Sequence, residues 1–154
     1  MNLKKIILYF ILISVVFFLD RASKIYIINL AEIESNVDVY INEYLNLYLI
    51  WNKGIAFGFF SSEKNLFYNL ITLLIFFIMV GILIWMIRIS SYSRIYLGLI
   101  LGGSLSNFFD RIYYGAVPDF IDFHINNYHW FTFNIADIFI SLGIITIILK
   151  ELIF

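Results

Sequence analysis

Between Lys64 and Arg88 the chain carries no charged residue, and most of the intervening positions are Leu, Ile, Phe, Met, Val or Trp. A helix needs about 20 largely apolar residues to cross the hydrocarbon of a bilayer. Inside lipid the backbone must satisfy its own polar groups, which a helix does. This stretch, near 66–88, is therefore predicted to span a membrane. Stretches near 5–27, 94–114 and 131–152 meet the same requirement with more interruptions. The expected fold is a mainly α membrane protein, a single integral membrane domain over residues 1–154 with four transmembrane helices. Composition agrees, because 62% of residues are hydrophobic and only 14% are charged, against about 25% charged in soluble domains.

Lys4 and Lys5 precede an apolar run from Ile6 to Leu19, as in a secretory leader, but Asp20-Arg21-Ala22-Ser23-Lys24 follows without a small-x-small cleavage site. The first span is read as a retained anchor. Basic residues near span ends are held on the cytoplasmic side. Lys4, Lys5, Arg88, Arg94 and Lys150 fall on one side, and Arg21, Lys24, Lys53, Lys64 and Arg111 on the other. The acids break this tie, since all except Glu151 share the second side. Both termini are expected in the cytoplasm, with segments 28–65 and 115–130 outside. The absence of cysteine excludes disulfides and thiolate chemistry, and a net charge of -1 gives no basis for binding nucleic acid.

Residues 36–51 are rich in Val, Ile and Tyr and partly alternate in polarity, a strand pattern that closes on the turn-type cluster Asn52-Lys53-Gly54. A small extracytoplasmic β-rich element is expected between the first two helices. Segment 115–130 holds the one proline and both histidines, and is expected to be a surface loop. His124 and His129 lack the H-E-x-x-H spacing of a zinc protease, so they are read as surface histidines and no metal site is expected.

Ionisable residues at membrane depth are costly and mark function by default. Asp20 and Lys24 are four apart on the first span and predicted to pair. Asn107, Asp110 and Arg111 share a face of the third, and Gly102, Gly103, Ser104 and Ser106 allow close helix approach there. Asn134 and Asp137 are three apart at the start of the fourth. The inferred topology gathers all of these, with Asp119, Asn52 and Gly54, at one outer end of the bundle as a single polar pocket. Two carboxylates held close share one proton, so one can act as base toward water and the other as acid, the chemistry of aspartic proteases. An ion-coupled transporter would be expected to show a repeated half. A serine protease would need a nucleophile motif. Neither feature is present.

Five ordered blocks carry a resemblance: Leu19-Asp20 with Ser23-Lys24, Asn52-x-Gly54-x-Ala56-Phe57, Gly102-Gly103 through Asn107-Phe108-Phe109-Asp110-Arg111, Gly115-x-Val117-x-Asp119-Phe120-Ile121, and Phe133-Asn134-x-Ala136-Asp137. Together they resemble the lipoprotein signal peptidases, also called signal peptidase II, over residues 19 to 143. The resemblance implies a bacterial inner-membrane aspartic endopeptidase that needs no cofactor or metal. Such an enzyme removes the signal peptide from a prolipoprotein just before a cysteine that already bears diacylglycerol. Asp119 and Asp137 correspond to the catalytic pair. Asp20, Lys24, Asn52, Gly54, Asn107, Asp110, Arg111 and Asn134 correspond to substrate-positioning or supporting residues, and for Asp110 an ion pair with neighbouring Arg111 or a helix-end role is expected. Membrane lipid and the peptide antibiotic globomycin are the other implied partners of a monomer. Ser104, Ser106, Pro118 and Arg21 depart from the usual Ala, Gly, Val and Gln, which bears on fine specificity.

Overall fold

The computed structural model describes residues 2–34, 37–54, 65–89, 93–126 and 128–153. Ala56 and Phe57 of the second sequence block lie outside the described residues. The elements in chain order are α1 (Leu3–Glu34), β1 (Asp38–Asn42), β2 (Leu45–Asn52), α2 (Asn65–Arg88), α3 (Ser93–Tyr113), β3 (Val117–Ile125), β4 (Tyr128–Phe133) and α4 (Ile135–Ile153). The fold is mainly helical with one small antiparallel sheet.

Helix α3 packs against each of the other three, which explains why it alone is polar and rich in small residues. A Cβ on Gly102 would lie 2.7 Å from the Val16 Cβ and 2.9 Å from the Ile13 carbonyl oxygen of α1. A Cβ on Gly103 would lie 2.6 Å from the Ala136 carbonyl oxygen of α4. These two glycines therefore set how closely α1 and α4 approach, as the small-residue stretch predicts. The outward faces are apolar: Phe10 and Phe18 of α1, Phe77 and Ile87 of α2 and Ile148 of α4 are all exposed. Water would not favour such a surface, whereas lipid would. Leu3–Ile33 and Tyr68–Arg88 are long and apolar enough to cross a membrane.

Helix α1 runs past the expected end near residue 27. Its 32 residues span about 48 Å, beyond the roughly 30 Å of bilayer hydrocarbon. Nothing between Lys24 and Glu34 breaks a helix, and the extra turns have a partner: Ile27, Leu30 and Ala31 pack with Val37 and Phe120 beneath the sheet.

The sheet is larger than expected. Its order is β1-β2-β3-β4, and every neighbouring pair is antiparallel. Within 36–51 the reading as strand holds for β1 and β2, but Glu43 and Tyr44 form the turn between them. There the Asn42 Oδ1 accepts hydrogen bonds from the Tyr44 and Leu45 amides at 2.9 and 3.0 Å. Segment 115–130 is not a surface loop but contains β3 and the first half of β4, a hairpin that pairs with β2. Its aromatic and Ile content suits a strand. Alternation is hidden because Val117 through Phe120 are all buried, leaving no polar face to read. Pro118 stands near the strand's start, where a missing amide is tolerated. Residues 131–133 belong to β4, so α4 begins later than the span expected from residue 131.

Candidate active site

Asp119 lies on β3 and is 3% exposed. Its Oδ1 accepts a hydrogen bond from Asn134 Nδ2 at 2.6 Å and its Oδ2 accepts one from Asn52 Nδ2 at 2.8 Å. Asp137 lies in the first turn of α4. Its Oδ1 accepts from Asn107 Nδ2 at 2.9 Å, and its Oδ2 accepts from the Asn134 backbone amide at 3.2 Å. Asn134 immediately precedes α4, and its Oδ1 accepts from the Asp137 amide at 3.1 Å. This reciprocal exchange caps the helix as an N-cap and N3 pair do. The cap thereby fixes both residues on the first turn. Both carboxylates line one cavity of about 300 Å³, whose wall also includes Ser104, Arg111 and the apolar Ile75, Met79 and Ile140.

Each of the three asparagines has its amide orientation set by a second bond. The Asn52 Oδ1 accepts from the Gly54 amide at 2.8 Å, the Asn134 Oδ1 from the Asp137 amide, and the Asn107 Oδ1 from Lys24 Nζ at 2.6 Å. With every amide oxygen held by a donor, every NH2 group faces a carboxylate. All four oxygens of the pair are thus held from behind.

A layer of charge supports this layer of amides. Lys24, fully buried, donates to Asn107 Oδ1 and contacts Asp20 Oδ2 at 2.6 Å and Asp110 Oδ2 at 2.7 Å. Asp20 Oδ1 accepts from the Ala136 amide at 2.8 Å, and its Oδ2 accepts from Ser106 Oγ at 2.6 Å. Asp20 therefore ties α1 to the first turn of α4 beside Asp137. Asp110 Oδ1 is paired with Arg21 Nη1. The expected Asp20 and Lys24 pair is present, but Asp110 pairs with Arg21 and Lys24 of α1, not with Arg111. Neighbouring side chains on a helix diverge, and the two cations three apart on α1 share the face that meets α3. Two acids and two bases cancel in charge, which is what allows their burial. Arg111 instead donates from Nη2 to the Gly54 carbonyl at 2.7 Å and from Nη1 to the Asn107 carbonyl at 3.2 Å. It holds the turn after β2 against the end of α3.

Burial raises the proton affinity of Asp119, and the negative charge of Asp137 raises it further. The amides of Asn52 and Asn134 pull it down only in part, leaving a pKa of about 7. A carboxyl poised there can hold a proton at neutral pH beside an ionised partner.

The structure brings all ten residues singled out from sequence into one connected group. Sequence reasoning missed Arg21 and Ser106 as participants: Arg21 was read only as a departure, and Ser106 as a departure and a small packing residue. The i,i+3 spacing of Arg21 and Lys24 was the available signal for Arg21. His124 and His129 are not loop residues: they face each other across β3 and β4, and His124 is 7% exposed. The hairpin brings them together with Asp122 at a place whose cleft shares no lining residue with the Asp119 cavity.

Comparison with known proteins gives the chain's family. The family described as signal peptidase (SPase) II matches residues 12–153. A lipoprotein signal peptidase of Pelagibacter ubique (strain HTCC1062) is 52% identical over 99% of this chain and 92% of its own length. One from Anaplasma phagocytophilum (strain HZ) is 40% identical over 97% of this chain and 95% of its own. A bacterial membrane enzyme solved by the in meso method is similar with a TM-score of 0.73 and 31% identity, covering 94% of this chain and 92% of that one. Sequence blocks, fold and full-length relatives coincide on one assignment: the chain belongs to the signal peptidase II family, a family of membrane-bound aspartic endopeptidases.

Proposed function

We propose that this chain removes the signal peptide from prolipoproteins, cutting just before a cysteine that bears diacylglycerol, with Asp119 and Asp137 as its catalytic pair. The observation that carries the reading is the pair itself, two carboxylates gripped by three asparagines at one cavity, one of them with a pKa of about 7. In the resting state Asp119 keeps the shared proton and Asp137 is ionised. Asp137 takes a proton from water as the oxygen attacks the scissile carbonyl, while Asp119 gives its proton to the carbonyl oxygen. Collapse of the tetrahedral intermediate returns that hydroxyl proton to Asp119 as the Asp137 proton passes to the amine nitrogen and the C–N bond breaks. The products are a new C-terminal carboxyl group, which ionises on release into water, and the amino group of the lipid-bearing cysteine. No cofactor enters this sequence.

Asn52, Asn107 and Asn134 orient the pair, and Arg111 lines the cavity while it holds the Gly54 carbonyl. Asp20, Lys24 and Asp110 support them from below. The Ile-rich wall contributed by α2 and α4 suits acyl chains arriving within the bilayer. Four helices spanning the bacterial inner membrane, both termini in the cytoplasm and the sheet outside complete the reading, as one domain over 1–154 acting as a monomer. Globomycin is the expected inhibitor. The test is mass spectrometry of products from a purified prolipoprotein offered with and without its diacylglyceryl group. A single cut before the modified cysteine, and no cut in the unmodified form, is expected. Equal cleavage of both forms would sink the proposed substrate class.

A further inference from the structure

We propose that Asp122, His124 and His129 form a site for a divalent transition-metal cation of the zinc type, on the sheet and separate from the catalytic cavity. Asp122 and His124 come from β3 and His129 from β4. One ligand atom from each lies within 4.8 Å of the others. Asp122 Oδ2 is 2.7 Å from His129 Nδ1 and 3.3 Å from His124 Nδ1. The longer contact lacks hydrogen-bond geometry, so the buried His124 Nδ1 has no hydrogen-bond partner among the described residues. Leaving a buried polar nitrogen unsatisfied costs about 1–3 kcal/mol. Asn46, the cross-strand partner of Asp122, also leaves a buried Oδ1 without a partner among the described residues. Two orphaned polar atoms at one cluster are what a cation, with its coordinated water, would satisfy.

The ligand set selects the ion. Two imidazoles and one carboxylate suit Zn²⁺ and similar metals, whereas Mg²⁺ and Ca²⁺ take oxygen ligands. Zn²⁺ bonds of about 2.0–2.1 Å in a tetrahedron place ligand atoms roughly 3.3 Å apart. Loading therefore replaces the His129–Asp122 hydrogen bond with a slight spreading of the two groups. His129 can supply it, because its side chain is 63% exposed. That exposure, with a cleft lined also by Asp38, gives the ion an entry path. The bound cation would tie β4 to β3, the strand that carries Asp119, and take no part in the cleavage.

Both histidines of the chain lie in this cluster and there is no cysteine, so tag-free protein offers imidazole ligands at one address. Zn²⁺ titration calorimetry of the detergent-solubilised full chain, with Co²⁺ absorption as a second readout, tests it. One equivalent is expected to bind wild type, with visible bands from bound Co²⁺. Binding should weaken at least about tenfold in His129→Ala. This variant loses only an exposed side chain, and its metal-free unfolding temperature checks the fold. Uptake that is equal in wild type and His129→Ala, or absent from wild type, overturns the proposal.

Discussion

At the scale of single residues, the proposed chemistry turns on one shared proton. Asp119 holds its proton up to a pKa of about 7 because it is buried and faces the charge of Asp137. Asp119 therefore holds a proton below about pH 7 and loses it above. Cleavage rate well below saturation is expected to fall as pH rises through about 7, and a pH profile of kcat/KM measures this. A rate that stayed flat to well above that value would contradict the assignment of the proton. Stability moves the same way. A carboxyl raised above its ordinary value of 3.8 binds its proton more tightly in the folded chain, so its contribution is fully present below that value and is lost as pH climbs through about 7. The asparagines were legible from sequence as members of the polar pocket, and the family resemblance added a substrate-positioning or supporting role. The direction in which each amide points was not, because it depends on donors that only the fold sets in place: the backbone amides of Gly54 and Asp137, and Lys24, which belongs to another block.

At the scale of elements, the site depends on the junction of α1, α3 and α4. Lys24 links Asp20, Asn107 and Asp110, and Asp20 holds the Ala136 amide at the start of α4. Lys24→Met removes one cation from a neutral buried quartet and leaves an uncompensated carboxylate. The expected cost is about 3–5 kcal/mol, read as a lower unfolding temperature in detergent. Arg21→Gln should cost less, since Lys24 remains on Asp110. A Lys24→Met chain as stable as wild type would show that the quartet does not hold the junction. Sequence made the Asp20 and Lys24 pair legible because it is local, at i,i+4. It hid the Asp110 partners, 86 and 89 residues away, for which spacing carries no signal. The β3–β4 hairpin was hidden for a different reason. Its first strand is buried on both faces from Val117 to Phe120, so period-two alternation is lost there, and its proline and histidines read as loop. The same misreading separated His124 from His129, which antiparallel pairing sets face to face.

At the scale of the whole molecule, the account places a sheet-capped site at one end of a bundle with apolar outer faces. Four crossings follow if α3 and α4 span along with α1 and α2. α3 reads as weakly apolar because it lies in the middle of the bundle and faces protein on most sides. The chain has no cysteine, so single cysteines can report topology directly. Cysteine placed at Lys53 is expected to react with an impermeant maleimide in intact cells, and cysteine placed at Arg88 only after permeabilisation. The reverse pattern would invert the protein in its membrane. The central claim remains that one carboxylate pair, gathered from a strand and a helix start, does the cutting. Its most direct test is cleavage of a diacylglyceryl-modified prolipoprotein by Asp119→Asn and Asp137→Asn, each first checked for folding by thermal unfolding. The account predicts that each folded variant loses at least about 100-fold in turnover, with wild-type activity unaffected by chelator. Near-normal turnover in either folded variant would contradict it.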